Sequence, residues 1–161
     1  MTAAVAVDAA GNLQLDYRLS ALPEVLRQLA IPASCESSAA DGLWQHTCCE
    51  AFVAAVDADD YHEFNFSPST CWAAYRFTAY RERDPDWCPP ASPTIHWTAG
   101  PDGLQLTACL PVSLLPASSR LALGLTAVIE TEAGEKSYWA VRHAGERPDF
   151  HLRDSFIVTL E

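Results

Sequence analysis

The sequence predicts a single all-β domain, an antiparallel β-sandwich, and three features carry that prediction. Alternating apolar and polar residues recur along the chain, as at Leu13, Leu15, Tyr17 and Leu19 and again at His62, Phe64 and Phe66. Turn-forming residues break these runs at short intervals, among them Gly11-Asn12, Ser67-Pro68-Ser69 and Ala133-Gly134. About ten short strands spaced in this way are the signature of a sandwich or barrel, and we take the sandwich as the expectation. The chain has 161 residues, enough for one domain, and shows no internal repeat or second domain.

Taken in order, Val5–Val7 and Leu13–Leu19 form a first pair of strands across the Ala10-Gly11-Asn12 turn. Leu22 to Leu29 has helical spacing, with Pro23 suited to a first helical turn, although an irregular strand also fits. Ala33 to Gly42 reads as a loop. Cys48–Ala55, Tyr61–Phe66 and Trp72–Tyr80 form a meander of three strands joined by the acidic turn at Asp57-Ala58-Asp59-Asp60 and the Ser67-Pro68-Ser69 turn. Arg81 to Pro93, charged and proline-rich, is a long loop. Strands follow at Thr94–Thr98 and Leu104–Leu110 around a Pro101-Asp102-Gly103 turn. Pro111 to Ser119 has room for one helical turn. Leu121–Thr131 and Lys136–Arg142 make a hairpin, Gly145 to Asp154 is a polar loop, and Ser155–Leu160 is the last strand.

Composition narrows the classes of function. Apolar residues make up 49% and charged residues 19%, values of an ordinary globular protein. The net charge of −11 comes with only 10 Lys and Arg, so neither nucleic acid nor an anionic membrane surface is expected as a partner. The opening MTAAVAVDAAGN has no basic residue before its short apolar run and does not resemble a secretory leader, and no stretch is long enough to span a bilayer. A cytoplasmic protein is the expectation. Cys35, Cys48, Cys49, Cys71, Cys88 and Cys109 form no CxxC pair, so they are expected to be buried, reduced thiols, with neither a disulfide framework nor zinc. Nothing in the sequence bears on oligomeric state, and no cofactor is expected.

The segments LWQHTCCEAF, YHEFNFSPSTCWAAYRFTAYRER and SYWAVRHAGERPDFHLRDSF resemble the DOMON-like domain proteins of bacteria, which are similar in turn to family-nine carbohydrate-binding modules. The resemblance covers nearly everything beyond residue 12. Its more specific element is Trp44 followed six residues later by Glu50, with Asn65 in a Phe-rich strand. Two positions depart from it: Cys49 stands where a large aromatic residue is expected, and Thr70-Cys71 where glycine closes the turn. The resemblance implies an Ig-like sandwich whose relatives bind sugars or haem, with Trp44 as a stacking aromatic and Glu50 as an acceptor for sugar hydroxyls.

The residues themselves allow a carbohydrate site, which needs aromatic platforms beside short polar side chains. Strand parity is read as placing Glu63 and Asn65 on one face and Trp72 and Arg76 on the matching face of the next strand, with Trp139 as a second aromatic wall. His143 and His151 flank the ERPDF loop, which could bind a ligand or form a hydrogen-bonded corner. The plain alternative is a core of tryptophans with cross-strand ion pairs. Haem with histidine ligands is disfavoured because Met1 is the only methionine, and His62 reads as a core histidine. Asp57, Asp59 and Asp60 could offer oxygens to calcium but lack EF-hand spacing. Glu50 and Glu63 could form a glycosidase pair, but Arg76 is expected to hold both ionised, and no nucleophile, zinc or phosphate motif occurs. The expected function is therefore a non-catalytic module for a carbohydrate or related polar ligand, with a protein-interaction domain as the alternative.

Overall fold

A computed structural model describes residues 1–101 and 103–161, so the turn expected at Pro101-Asp102-Gly103 falls partly outside the described residues. Two antiparallel sheets face each other. The smaller joins β1 (Thr2–Val7), β2 (Leu13–Ser20), β8 (Gly103–Leu110) and β7 (Thr94–Gly100) in that order. The larger runs β10 (Lys136–Ala140), β9 (Leu121–Glu130), β3 (Cys48–Ala55), β4 (Tyr61–Phe66), β5 (Trp72–Ala79) and the two-residue β6 (Glu82–Arg83). β11 (Val158–Leu160) pairs with the first residues of β9, and β10 with its last, so the two lie end to end on one edge. The expected meander is β3-β4-β5, all of it antiparallel.

The alternation that marks β2 points Leu13, Leu15 and Tyr17 inward, against Ala51, Val53, Phe64, Phe66, Leu123 and Leu125 of the larger sheet. Tyr17 reaches across the sandwich and donates its hydroxyl to the Glu50 carbonyl at 2.7 Å, which satisfies a polar group that burial would otherwise penalise. β3, β4 and β9 are buried along almost their whole length on both faces. A second apolar cluster on the outer face explains why. Phe52, Ala54, Tyr61, Tyr75 and Phe77 are roofed at one end by Phe156 and Phe150 of the C-terminal segment. Arg153 fastens that roof, donating from Nη2 to the carbonyls of Ala55 and Ala58 at 3.2 Å each, with its guanidinium 4.8 Å from the centre of the Phe156 ring.

The segment at Leu22 to Leu29 resolves into one short helix, α1 (Pro23–Leu26), begun by proline. Three single 3-10 turns lie at Leu43–Gln45, Val112–Leu114 and Arg153–Ser155. The last strand starts later than expected because Arg153–Ser155 is helical. Of the cysteines, Cys48 and Cys49 are buried as expected, and Cys49 packs in the inner core; Cys35 and Cys88 are exposed because they sit in irregular loops outside either sheet. No helix among the described residues is long and apolar enough to cross a membrane.

Candidate functional site

The roof over the larger sheet stops short of its other end and leaves an open cleft of about 720 Å³. Glu50 and Phe52 of β3, Glu63 of β4 and Val128 of β9 form its floor. Tyr75, Phe77 and Arg83 make one wall, and Lys136 and Tyr138 the other. Asp41 to Gln45 close one end, with Trp44 half exposed on the rim, and Pro148 to His151 close the opposite end.

Two carboxyl groups lie buried in this floor, 2% exposed at Glu50 and 5% at Glu63. The ladder pairs Glu50 with Asn65, and Phe52 with Glu63, so the two acids are diagonal neighbours on one face. Burial first, and the neighbouring Glu63 charge second, push the Glu50 carboxyl up to about 8. It is therefore mostly a neutral acid near pH 7 and able to donate a hydrogen bond. Thr126 donates its hydroxyl to Glu50 Oε2 at 3.1 Å. Glu63 is also raised by burial, opposed by an Asn65 amide bond of 2.8 Å and by the charges of Arg81 and Arg83.

His151 stands above Glu63, its Nε2 3.8 Å from Glu63 Oε2. Burial and the Arg81 charge press its imidazole down to about 4, so at neutral pH this approach is not an ion pair. The Tyr61 hydroxyl accepts the Arg81 backbone N–H at 3.1 Å and lies 2.7 Å from His151 Nδ1. Tyr61 is itself fixed by stacking on Phe77, with ring centres 4.9 Å apart. Asp149 completes this end, accepting from Arg81 Nη2 at 2.9 Å and from the Tyr80 hydroxyl. At the other end Tyr75 donates to Asp41 at 2.8 Å, and Arg83 lies 4.1 Å over the Tyr75 ring.

Of the residues expected from sequence, Trp44, Glu50, Glu63 and His151 line the cleft, and Asn65 supports Glu63 from the neighbouring position. Trp72 and Arg76 do not belong to it, which corrects the parity reading. The register pairs Phe66 with Trp72 and His62 with Arg76, so both point to the opposite side of the sheet from Glu63. Trp72 packs in the inner core, and Arg76 bonds Asp60 at 3.2 Å and lies 3.8 Å from Asp84. Arg76 therefore does not hold Glu50 or Glu63 ionised, and both carboxyls shift upward instead. Trp139 is likewise displaced: it pairs with Ala127 on the inner side and lines a separate small hollow with Met1 and Tyr17, and Tyr138 takes the place expected of it. His143 sits behind Phe150, 6.2 Å between ring centres, outside the lining. His62 is the core histidine expected, bonded through Nδ1 to the Leu114 carbonyl at 2.8 Å. Asp60 is engaged by Arg76, and among the described residues no three metal-ligating side chains come together.

Sequence reasoning missed Phe52, Tyr75, Phe77, Tyr138 and Arg81, and reached Asp149 only as part of the ERPDF loop. The first three were visible in the parity that marked Glu50 and Glu63, since Glu63 sits opposite Tyr75. Arg81 and Asp149 meet only through the fold, at a separation of 68 residues.

The sequence matches no described protein family and no curated protein. The structure is similar to that of a candidate carbohydrate-binding protein from Bacteroides uniformis, with a TM-score of 0.57 at 17% identity. The match covers 92% of this chain and 71% of the other. At that identity the likeness is one of fold.

Proposed function

We propose that the chain is a binding module for a carbohydrate or a related polar, largely neutral ligand, that the cleft on the larger sheet is its site, and that it performs no chemistry. The observation that carries this reading is the floor: two buried carboxyls, one of them mostly neutral, lie between aromatic walls in a cleft open to solvent. Sugars offer apolar C–H faces that stack on rings and hydroxyls that both donate and accept. Tyr75, Tyr138 and Trp44 supply rings, protonated Glu50 supplies a donor, and Asp41 and Asp149 supply acceptors. The lining holds acidic side chains, Asp41 and Asp149 among them, together with basic Arg81, Arg83 and Lys136, which fits a ligand with little net charge. The fold shared with the Bacteroides uniformis protein supports the reading, as does the resemblance of the Trp44, Glu50 and Asn65 segment to DOMON-like domains. Binding without catalysis is favoured because the sequence carries no nucleophile, zinc or phosphate-loop motif.

The test is a titration of Trp139→Phe protein with a panel of mono- and oligosaccharides, followed by tryptophan fluorescence and calorimetry. The substitution removes an exposed indole remote from the cleft, so that Trp44 on the rim contributes more of the surface signal. Saturable binding that Tyr138→Ala weakens at least about tenfold, the value of one good aromatic contact, supports the site. No heat and no fluorescence change across the panel, with the fold intact, would refute it.

A further inference from the structure

The loop from Ala33 to Gly42 runs along the turn between β4 and β5, and two cysteines meet across that contact. Cys35 Sγ lies 3.1 Å from Cys71 Sγ. The backbones are already tied on both sides of the pair. Cys35 N–H donates to the Ser69 carbonyl at 2.9 Å, the Thr70 hydroxyl donates to the Cys35 carbonyl at 2.9 Å, and Trp72 N–H donates to the Ser38 carbonyl at 3.0 Å. A disulfide needs sulfurs about 2 Å apart, so small side-chain rotations between anchored backbones close the remaining gap. Cys35 is exposed and Cys71 partly so, which leaves the pair open to a small oxidant. The other four cysteines are elsewhere: Cys48 and Cys49 are buried, and Cys88 and Cys109 lie on other segments.

We propose that Cys35 and Cys71 form a reversible thiol–disulfide site whose closure clamps the 33–42 loop onto the β4–β5 turn. The co-reactant is a small-molecule disulfide such as oxidised glutathione. The Cys71 thiolate attacks one sulfur of that disulfide, forming a mixed disulfide and releasing one reduced thiol. Cys35, on losing its proton, attacks the Cys71 sulfur of the mixed disulfide and expels the second reduced thiol. The two protein thiols lose two electrons and two protons, and the co-reactant is reduced by the same amounts. The order of attack follows from the surroundings. Hydrogen bonds from Cys35 and Ser38 lower the Cys71 thiol below its usual value, and the same contact raises Cys35. The clamped loop leads directly to Asp41, which accepts the Tyr75 hydroxyl at the end of the cleft. The thiol pair lies outside the cleft lining, so its chemistry stands whatever the cleft binds.

The experiment is incubation of the full native chain with oxidised glutathione, then unfolding, thiol counting and digestion after glutamate. Six thiols are free before oxidation, at most four are expected afterwards, and glutathione held singly on exposed Cys88 is told from the internal link by mass in the digest. Digestion places Cys35 in peptide 25–36 and Cys71 in peptide 64–82, each the sole cysteine of its peptide, so a linked pair identifies the bond without ambiguity. Dithiothreitol should restore six thiols. Amide exchange across residues 33–42 should slow about tenfold in the oxidised form, since the cross-link suppresses local opening. Cys35→Ser should yield no internal link and carry glutathione on Cys71. The proposal is overturned if the native chain keeps six thiols, if its linked peptides join cysteines other than 35 and 71, or if loop exchange is unchanged by the bond. All three readings are made on the unsubstituted chain, so a variant that fails to fold does not blur the result.

Discussion

Glu50→Gln tests the electrostatic description of the cleft floor. The Glu50 carboxyl titrates at about 8 in the folded chain against an ordinary value of 4.5. Between those values the unfolded chain has lost its proton and the folded chain has kept it, so raising the pH favours unfolding by about 1.4 kcal/mol per unit. The effect begins near pH 4.5, is complete near pH 8 and amounts to about 3 to 4 kcal/mol between pH 5 and 8. That is a large share of the roughly 5 to 15 kcal/mol by which a domain is stable. Glutamine keeps the shape and an acceptor for the Thr126 hydroxyl while removing the ionisation. Urea unfolding of both proteins at pH 5, 6, 7 and 8 is the assay. The wild type should lose about 3 kcal/mol more than the variant across that range, and the variant should be the more stable of the two at pH 8. Parallel curves would show that Glu50 ionises freely in the folded chain, and the neutral donor in the cleft floor would have to be abandoned.

Two further outcomes follow from the same geometry. His151, pressed down to about 4 by burial and the Arg81 charge, should titrate near that value by NMR, and in Glu50→Gln protein, where the opposing Glu50 titration is absent, folding stability should fall as the pH drops from 6.5 towards 4, because only the unfolded chain takes up the proton there; a midpoint near 6.5 would mean that the imidazole is open to water. Gly103→Ala should destabilise the fold by at least about 1 to 3 kcal/mol in urea unfolding, since the added methyl would stand 2.5 Å from the Leu19 carbonyl oxygen across the β2–β8 pair; an unchanged midpoint would refute that strand contact.

The polar floor is costly, and the same sheet face shows the alternative. Beyond Phe52, the outer surface is covered by Tyr61, Phe77 and Phe156 with ring-to-ring contacts of 4.9 to 6.4 Å. Apolar cover of that kind needs no compensating hydrogen bonds. Glu50 and Glu63 are instead placed where the roof ends, and only partial compensation reaches them, from Thr126 and Asn65. A group that costs stability and sits at the bottom of an open, ring-walled cleft is better explained by what it offers a ligand than by what it gives the fold.

How far the sequence could be read depended on whether an inference stayed within one strand. The alternation at Leu13 to Leu19 and at Tyr61 to Phe66 is local, and both strands appear where that pattern puts them, as do β3, β8 and β9 to within a residue or two. Glu50, Glu63 and Trp44 reach the cleft for the same reason, through parity within their own strand or the turn leading into it. Errors arose where one strand had to be aligned with the next. Taking Trp72 and Arg76 to share the face of Glu63 mistakes the β4–β5 register by one residue, and a one-residue error in a ladder exchanges the two faces. The turn that sets this register is unusual: Thr70 adopts φ +75, a left-handed conformation in which a β-branched residue is strained, at the position where the resemblance expected glycine. Its cost is offset by bonds from outside the hairpin, with the Thr70 hydroxyl donating to the Cys35 carbonyl and the Ser37 hydroxyl to the Thr70 carbonyl. Residue types within the hairpin do not reveal partners 33 and 35 positions away. The register, the face of Arg76 and the meeting of Cys35 with Cys71 thus share one cause, the docking of the 33–42 loop on a strained turn, and all three were hidden until the two segments were seen together.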